Sequence, residues 1–318
     1  MDKKYFYVLQ SQDGIRIDKW LMITFNFLQN SIIQKWIRKG FVRVDGKKVA
    51  YNYNLSFNQV IEIPSIFLQN YKEEVIPKKD LNLNKYKSQI ESIKDNILYK
   101  DDDFLIINKP AGLAVQGGSG LNFHLDMIFE KLKYESGVLP HIVHRIDKDT
   151  SGILVLARSK AVAKYMFELF KNKEVNKTYV AIVNNAYKLT NTEGEINAPL
   201  LKVGEDNSQR VMIDKSGKQA FTHYKILQKV EDFAYMELSP KTGRTHQLRV
   251  HLADYLKVHI VGDYKYGYCK NLEYKNINQS YMYLHSSKIS FKGIYGNIIN
   301  IEAPLPKYFV DFLDNIFI

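Results

Sequence analysis

A polar stretch from residue 66 to 92 is the feature that most limits how this chain can fold. It holds Lys72-Glu73-Glu74, Pro77-Lys78-Lys79-Asp80 and several asparagines, and it lacks the sustained apolar periodicity that would give it a face to bury. A connection of that length and composition separates two bodies rather than joining elements within one. The reading is a small module over 13–65, a linker over 66–92, and a larger domain over 93–318. With 318 residues, 45% of them hydrophobic, the chain has enough apolar surface for two cores.

In the small module, Ile17, Trp20, Leu21 and Thr24 recur at helical spacing. A second helix starts at a cap, Asn30 or Ser31, carries Ile32, Ile33, Trp36 and Ile37, and stops at Gly40. Val42-Arg43-Val44, the turn Asp45-Gly46 and Lys47-Lys48-Val49 then form a hairpin, because Asp-Gly supplies the positive-φ pair that a tight turn needs. Between the apolar positions lie Arg16, Lys19, Lys35, Arg38, Lys39, Arg43, Lys47 and Lys48, opposed only by Asp18 and Asp45. A charge run of this kind is either a solvated face or a set of phosphate contacts, and two helices and a hairpin sharing one basic side favour phosphate. The segments Arg16-Ile17-Asp18-Lys19-Trp20-Leu21 and Ile37-Arg38-Lys39-Gly40-Phe41-Val42-Arg43-Val44-Asp45-Gly46 resemble the S-four-like RNA-binding domain, and the helix-helix-hairpin order agrees. That resemblance covers about fifty residues and implies RNA as the partner of the eight basic side chains.

From 93 onward, short strands dominate. Ile97-Leu98-Tyr99 and Phe104-Leu105-Ile106-Ile107 flank Asp101-Asp102-Asp103, which reads as a hairpin tip and not a metal site. Gly152 to Ala157 is a buried strand followed by a helix over 161–170, Thr178 to Val183 is another strand, and 222–227 and 233–238 form an antiparallel pair. Strands without regular β-α alternation predict an α+β domain with a mixed, mainly antiparallel sheet.

Two segments carry chemistry. In His141-Ile142-Val143-His144-Arg145-Ile146-Asp147-Lys148-Asp149-Thr150-Ser151-Gly152 an apolar strand enters a polar loop and a second strand leaves it. Taken alone, Asp147 and Asp149 are turn or cap residues as readily as functional ones. A kinase catalytic loop is excluded, since Ile146 separates Asp147 from His144-Arg145 and no glycine-rich loop or Asp-Phe-Gly accompanies it. In Lys241-Thr242-Gly243-Arg244-Thr245-His246-Gln247-Leu248-Arg249-Val250-His251-Leu252, Thr245 is placed to cap a helix whose Leu248, Leu252 and Tyr255 face the core. Arg244, His246, Gln247 and Arg249 crowd donors beside a glycine turn, as an anion site would need. It is no phosphate-binding P-loop, and Gly117-Gly118-Ser119-Gly120 is a flexible turn lacking the rest of a dinucleotide fingerprint. His141, His144, His246, His251 and His259 follow no metal-ligand spacing, and no Gly-x-Ser-x-Gly elbow is present. No metal and no cofactor is expected.

Four segments in order resemble the RluA-type family of RNA pseudouridine synthases: Asn108-Lys109-Pro110-Ala111-Gly112, His144 to Gly152, Lys177-Thr178-Tyr179, and Gly243 to His251. The resemblance spans about 93 to 318. Val115 to Leu121 and Ala198-Pro199-Leu200-Leu201-Lys202 are most similar to members acting on large-subunit ribosomal RNA, while Gln116 stands where those have His and Ile146 where Leu is common. The resemblance implies Asp147 as the catalytic carboxylate, acting at the sugar either as nucleophile or as base, with Arg249 as the cation that favours its ionised form. It implies Tyr179 against the uracil face, Leu248 as apolar packing, and Arg145 filling the place left by the extracted uridine. Alternative readings are a synthase acting on transfer RNA, or a non-catalytic RNA-binding ribosome-assembly factor.

Composition agrees with a polyanionic partner: Lys plus Arg number 45 against 34 Asp plus Glu, a net charge of +11. A single cysteine, Cys269, precludes an intramolecular disulfide, and with no secretory pattern at the amino terminus Asn278-Gln279-Ser280 is read as a chance sequon. The amino terminus has neither a signal-peptide nor a transit-peptide pattern, and no run suits a membrane span. The expectation is a cytoplasmic monomer that works on large-subunit ribosomal RNA or a pre-ribosomal particle, with no membrane partner. The abundance of Asn, Ile, Lys and Tyr points to an AT-rich genome, and the domain order to a bacterium.

Overall fold

The computed structural model describes residues 2–8, 12–25, 28, 30–68, 86–116, 123–134, 137–204, 210–267 and 280–317. The chain forms two compact units, Met1–Leu81 and Asn82–Ile318. Gly117 to Gly120, Cys269 and Asn278 lie outside the described residues, as does most of the stretch read as a linker.

In the first unit, β1 (Lys3–Tyr7), β2 (Arg43–Val44), β3 (Lys47–Lys48) and β4 (Val60–Pro64) make an antiparallel sheet in the order β1-β4-β2-β3. Helices α1 (Ile17–Thr24) and α2 (Asn30–Lys39) pack over it. The expected apolar positions supply the core: Ile17, Trp20, Leu21, Ile33, Trp36 and Ile37 are buried, whereas Ile32 is exposed. Gly40 ends α2 with φ +74°, and Asp45 and Gly46 both take positive φ between β2 and β3. Strand β1 lies upstream of the boundary read from sequence; its mostly exposed Lys-Lys-Tyr-Phe-Tyr lacks the alternation that marks a half-buried strand.

The second unit opens on α3 (Lys87–Asp95), which begins within the stretch read as a linker. Only Ile90 and Ile93 are buried there, one short i, i+3 contact too sparse to register as periodicity. Then come β5 (Ile97–Lys100), β6 (Phe104–Lys109), β7 (His141–Ile142), β8 (Ser151–Ala157), α4 (Lys160–Lys171) and β9 (Asn176–Asn184). They are followed by β10 (Glu193–Asn197), β11 (Leu200–Val203), β12 (Arg210–Ile213), β13 (Phe221–Val230), β14 (Phe233–Pro240) and α5 (Gln247–Val250). The chain closes with β15 (His259–Ile260), β16 (Leu284–Lys292), β17 (Ile298–Glu302) and α6 (Lys307–Ile316). The main sheet runs β10-β13-β14-β9-β16-β8-β6-β5, with β15 on β9, β17 on β16 and β7 on β8. Among the pairings of the described strands only β16 with β8 is parallel, so the sheet is mixed and mainly antiparallel, as expected. Asp101 organises the β5–β6 tip by accepting hydrogen bonds from the Asp103 and Phe104 amides, a turn-forming role.

The polar loop between β7 and β8 runs directly into the main sheet. Every residue of β8 is buried. At its start, Gly152 has φ +105°, and a Cβ there would run into the Ser286 backbone of β16, so only glycine fits. Beside it, Ser151 Oγ and His285 Nδ1 lie 2.9 Å apart, while His285 Nε2 faces the Ala303 carbonyl at 3.4 Å. A carbonyl only accepts, so Nε2 carries the proton and Ser151 donates to Nδ1. Burial holds His285 down to about 4, despite the Ala303 carbonyl acting the other way.

A histidine depressed in the folded state costs nothing while both states are neutral. It destabilises the fold as pH drops below about 6.5, where the unfolded state begins to take up the proton, down to about 4. At ~1.4 kcal/mol per unit, the loss is on the order of 3 kcal/mol. Urea unfolding measured from pH 7.5 to 4 should show it, and His285→Gln should flatten that part of the profile.

Candidate active site

The Asp147 loop is tied down from beneath. Lys109, at the end of β6, is fully buried, and Nζ donates to the carbonyls of Pro110 (2.9 Å), Leu113 (2.8 Å) and Lys148 (2.9 Å). Burial pulls Lys109 down to about 7, opposed by Asp149 and Asp147. Three carbonyl acceptors use all three protons of the ammonium form. The Gly112 amide donates to the same Lys148 carbonyl at 2.9 Å, and the Thr150 amide to the Asp147 carbonyl at 3.2 Å. Nearby, the Val155 amide donates to His144 Nε2 at 2.9 Å, and burial, helped by Lys177, holds His144 down to about 3.

The segment after β14 departs from its expected form. Thr245 makes no cap: helix α5 begins after His246, which adopts a left-handed φ of +54°, with no side-chain cap bond. It continues into a wider π-type turn, His251–Leu256, in which Leu252 is buried but Tyr255 is 51% exposed, so Tyr255 does not face the core. Gln247 is not an anion donor either. Its Nε2 donates to Phe221 O (2.9 Å) and Thr222 Oγ1 (3.0 Å), and its Oε1 accepts from Thr242 Oγ1 (2.8 Å) and the Arg244 amide (3.1 Å). One turn on, His251 bridges Thr222 Oγ1 (2.9 Å) and the Ala198 carbonyl (3.0 Å). These bonds fasten α5 to β13. A spacing-based reading sees polar donors here but not that their partners are backbone and threonine groups of a distant strand.

Between the two segments stands Arg249, buried on α5. Nη1 donates to Asp147 Oδ2 at 3.1 Å, while Nε and Nη2 donate to the two oxygens of Asp263 at 2.8 and 2.7 Å. The expected ion pair is therefore present, within a trio whose third member spacing and motif do not reveal. Asp263 follows Gly262, whose φ of +77° and close approach to the Tyr281 carbonyl demand glycine; the Gly262-Asp263 pair is the one local signal of it. Burial would raise Asp263, but Arg249 and the Tyr266 and Lys265 amides reverse this and hold its pKa below the usual range. Burial likewise opposes the charge on Arg249, and the two carboxylates outweigh it, raising its pKa. The Tyr266 ring lies 5.1 Å from Arg249 Cζ, and its hydroxyl shares a 2.7 Å hydrogen bond with His246 Nδ1. His246 Nε2 reaches to 3.9 Å from Asp147.

Asp147 is about one-quarter exposed and opens into a cleft of about 1340 Å³. Ile146, Tyr179, Leu248, Met282 and Leu284 line it and belong to one buried apolar cluster. Burial pushes the Tyr179 hydroxyl up to about 12, with Asp147 adding to the shift. The cleft's polar lining is strongly cationic, with ten Lys and Arg side chains against two carboxylates, Asp147 and Asp149. Arg145 is exposed at its edge, with Nη1 3.5 Å from Gln116 Oε1. Among the described residues no group of three His, Cys, Asp or Glu side chains could hold a metal ion.

In the first unit, Lys19, Lys35, Arg38, Lys39, Arg43, Lys47 and Lys48 are all exposed. The Lys48 stem passes over Gly40, next to the end of α2. Arg16 differs: it makes a two-point ion pair with the buried Asp18, at 3.0 and 2.7 Å, so its charge is already compensated within the fold.

Residues 103–254 match the RNA pseudouridylate synthase family, and 15–61 match the S4 domain. The chain is 36% identical over 317 residues to the ribosomal large subunit pseudouridine synthase C of Buchnera aphidicola from Acyrthosiphon pisum, covering 98% of this chain and 96% of that protein. The chain belongs to the RNA pseudouridine synthase family. The synthase C of Vibrio vulnificus is 37% identical over 281 residues, covering 87% of this chain and 85% of that one. Among solved structures, human RNA pseudouridylate synthase domain containing 4 superposes with a TM-score of 0.61 at 27% identity, over 73% of this chain and 96% of that one. The α+β fold and enzyme class expected from sequence are thus those of this pseudouridine synthase, an S4 domain followed by a synthase domain. No helix among the described residues is long and apolar enough to cross a membrane.

Asp263→Asn in this synthase should leave Arg249 in a buried site without its two-point partner. Breaking such a pair costs about 3–5 kcal/mol. The melting temperature should fall, and kcat should drop by about tenfold or more while RNA affinity changes little. Stability unaltered by Asp263→Asn would show that Arg249 does not depend on it.

Proposed function

We propose that this synthase converts particular uridines of large-subunit ribosomal RNA to pseudouridine, with Asp147 as its catalytic carboxylate. In that isomerisation the C1′–N1 bond breaks, the uracil turns, C1′ bonds to C5, and the C5 proton is lost as N1 gains one. The observation that carries the catalytic part is the meeting of Asp147, Arg249 and Tyr179 in a single cleft. Asp147 acts at the sugar, as nucleophile or as base. Arg249 orients it and complements its charge; Tyr179 and Leu248 present an apolar wall to the base. Extraction of a uridine costs a few kcal/mol, and Arg145, whose side chain is exposed, fills the gap.

Support for the ribosomal substrate is the similarity, over nearly the whole chain, to relatives named ribosomal large subunit pseudouridine synthase C. Residues 13–65 act as the RNA grip through Lys19, Lys35, Arg38, Lys39, Arg43, Lys47 and Lys48, with Arg16 braced by Asp18. Residues 66–92 link that grip to the synthase domain, 93–318. The enzyme works as a cytoplasmic monomer on the ribosomal RNA or a pre-ribosomal particle.

Mapping pseudouridines in cellular RNA by adduct formation and primer extension, with and without the protein, tests the substrate. Stops at defined large-subunit uridines should vanish in its absence; loss confined to transfer RNA would overturn the ribosomal reading. Asp147→Asn should abolish turnover with RNA binding largely retained, and residual pseudouridine formation by that variant would remove Asp147 from its role. Replacing Lys35, Arg38 and Lys39 with Gln should weaken binding and lower the slope of log affinity against log salt by roughly 2, at ~0.7–0.9 for each phosphate no longer neutralised.

A further inference from the structure

One cleft cation has no part in the reaction steps above and stands apart from its neighbours. Lys177 sits on β9 two residues before Tyr179, so the two share a strand face, roughly 7 Å apart along the strand, and both line the cleft. Its surroundings differ from those of other lysines there. Lys173 and Lys241 are exposed and solvated, and Lys171 is exposed and paired with Glu168. Lys177 is half-buried, and among the described residues no carboxylate lies within 4.0 Å of Nζ and no hydrogen bond reaches it. The Phe170 ring lies 5.9 Å from Nζ. Gly243 lies beside it: a Cβ on that residue would meet Nζ at 3.9 Å, an ordinary van der Waals contact. Burial lowers the Lys177 pKa to about 8, the direction physics requires of a desolvated ammonium without a counter-charge.

A buried, uncompensated cation weakens a fold and persists where an anion arrives from outside to complete it. Asp147 and Asp149 are the cleft's own carboxylates, and neither is in ion-pair reach of Lys177. An RNA strand entering the cleft brings phosphodiester oxygens along with its bases. We infer that Lys177 is a substrate-positioning residue whose ammonium takes a backbone phosphate of the RNA beside the uridine that rests on Tyr179. The inference depends on a uridine reaching Asp147, as proposed above.

The test uses the full chain in an Asp147→Asn background, where binding is read without turnover. Lys177→Met, which removes the charge and keeps the stem, should weaken RNA binding about tenfold and reduce the salt slope by ~0.7–0.9, one phosphate contact. Lys177→Arg should restore most of both. In the otherwise unaltered enzyme, Lys177→Met should raise KM by a similar factor with kcat within about twofold. Its melting temperature should equal or exceed that of the parent, because a desolvated charge has gone, and this separates impaired substrate binding from misfolding. An unchanged salt slope, or a fall in stability and affinity that Arg does not rescue, would overturn the assignment of Lys177. If Asp147→Asn still formed pseudouridine, the active-site reading itself would fail, independently of any result at Lys177.

Discussion

The guanidinium of Arg249 is divided between two carboxylates, and the site is organised around that division. Asp263, almost wholly buried, takes the two-point contact, and Asp147, open to the cleft, takes the single remaining donor. Three charges in contact leave a net −1, and the carboxylate with the single contact is the one open to the cleft. With Asp263 absent, two of the three donors Arg249 uses would lose their acceptors in a buried site. With Arg249 absent, Asp263 would be left as an uncompensated carboxylate in a buried site.

Holding this trio requires rigid delivery from three places in the chain. Lys109 anchors the Asp147 loop by filling its ammonium with backbone carbonyls. Gln247 and His251 fasten α5 to Thr222 and the end of β13, which sets the direction of Arg249. Gly262 lets the turn bearing Asp263 pass close to the Tyr281 backbone. Lys109, Gln247 and His251 are buried polar groups with their partners supplied, the condition under which such groups confer a unique geometry. Strand β9 runs through the middle and contributes Tyr179 and Lys177 on one face.

The electrostatics divide into two kinds. Exposed lysines and arginines of the first unit, and of the cleft rim, are solvated and carry little energetic penalty in the free protein. Arg249 and Lys177 are desolvated, the first compensated from within, the second not. Charge count alone, +11 over the chain, does not separate them. Arg16 makes the same point in the other direction, since a basic residue read as an RNA contact already has Asp18 as its partner.

Local physics made much of the molecule legible. Helical spacing in α1, the Asp45-Gly46 turn, the unbroken apolar run of β8 and the β13–β14 pair all follow from interactions within a few residues, and the structure has them where the pattern placed them. The family resemblance implied that Asp147, Tyr179 and Arg249 belong together. What the sequence could not disclose were partners set by long-range folding. Thr245 has the chemistry of a cap, yet the left-handed turn at His246 removes the geometry a cap requires. Gln247 looks like a donor for an anion, until β13 supplies its acceptors. Asp263 carries no local mark beyond a preceding glycine, and its role exists because the fold sets its carboxylate against Arg249. The sequence by itself determined which side chains could bear charge and which segments would be strands; the tertiary structure decided which charges are compensated, because compensation depends on distances between residues far apart in the chain.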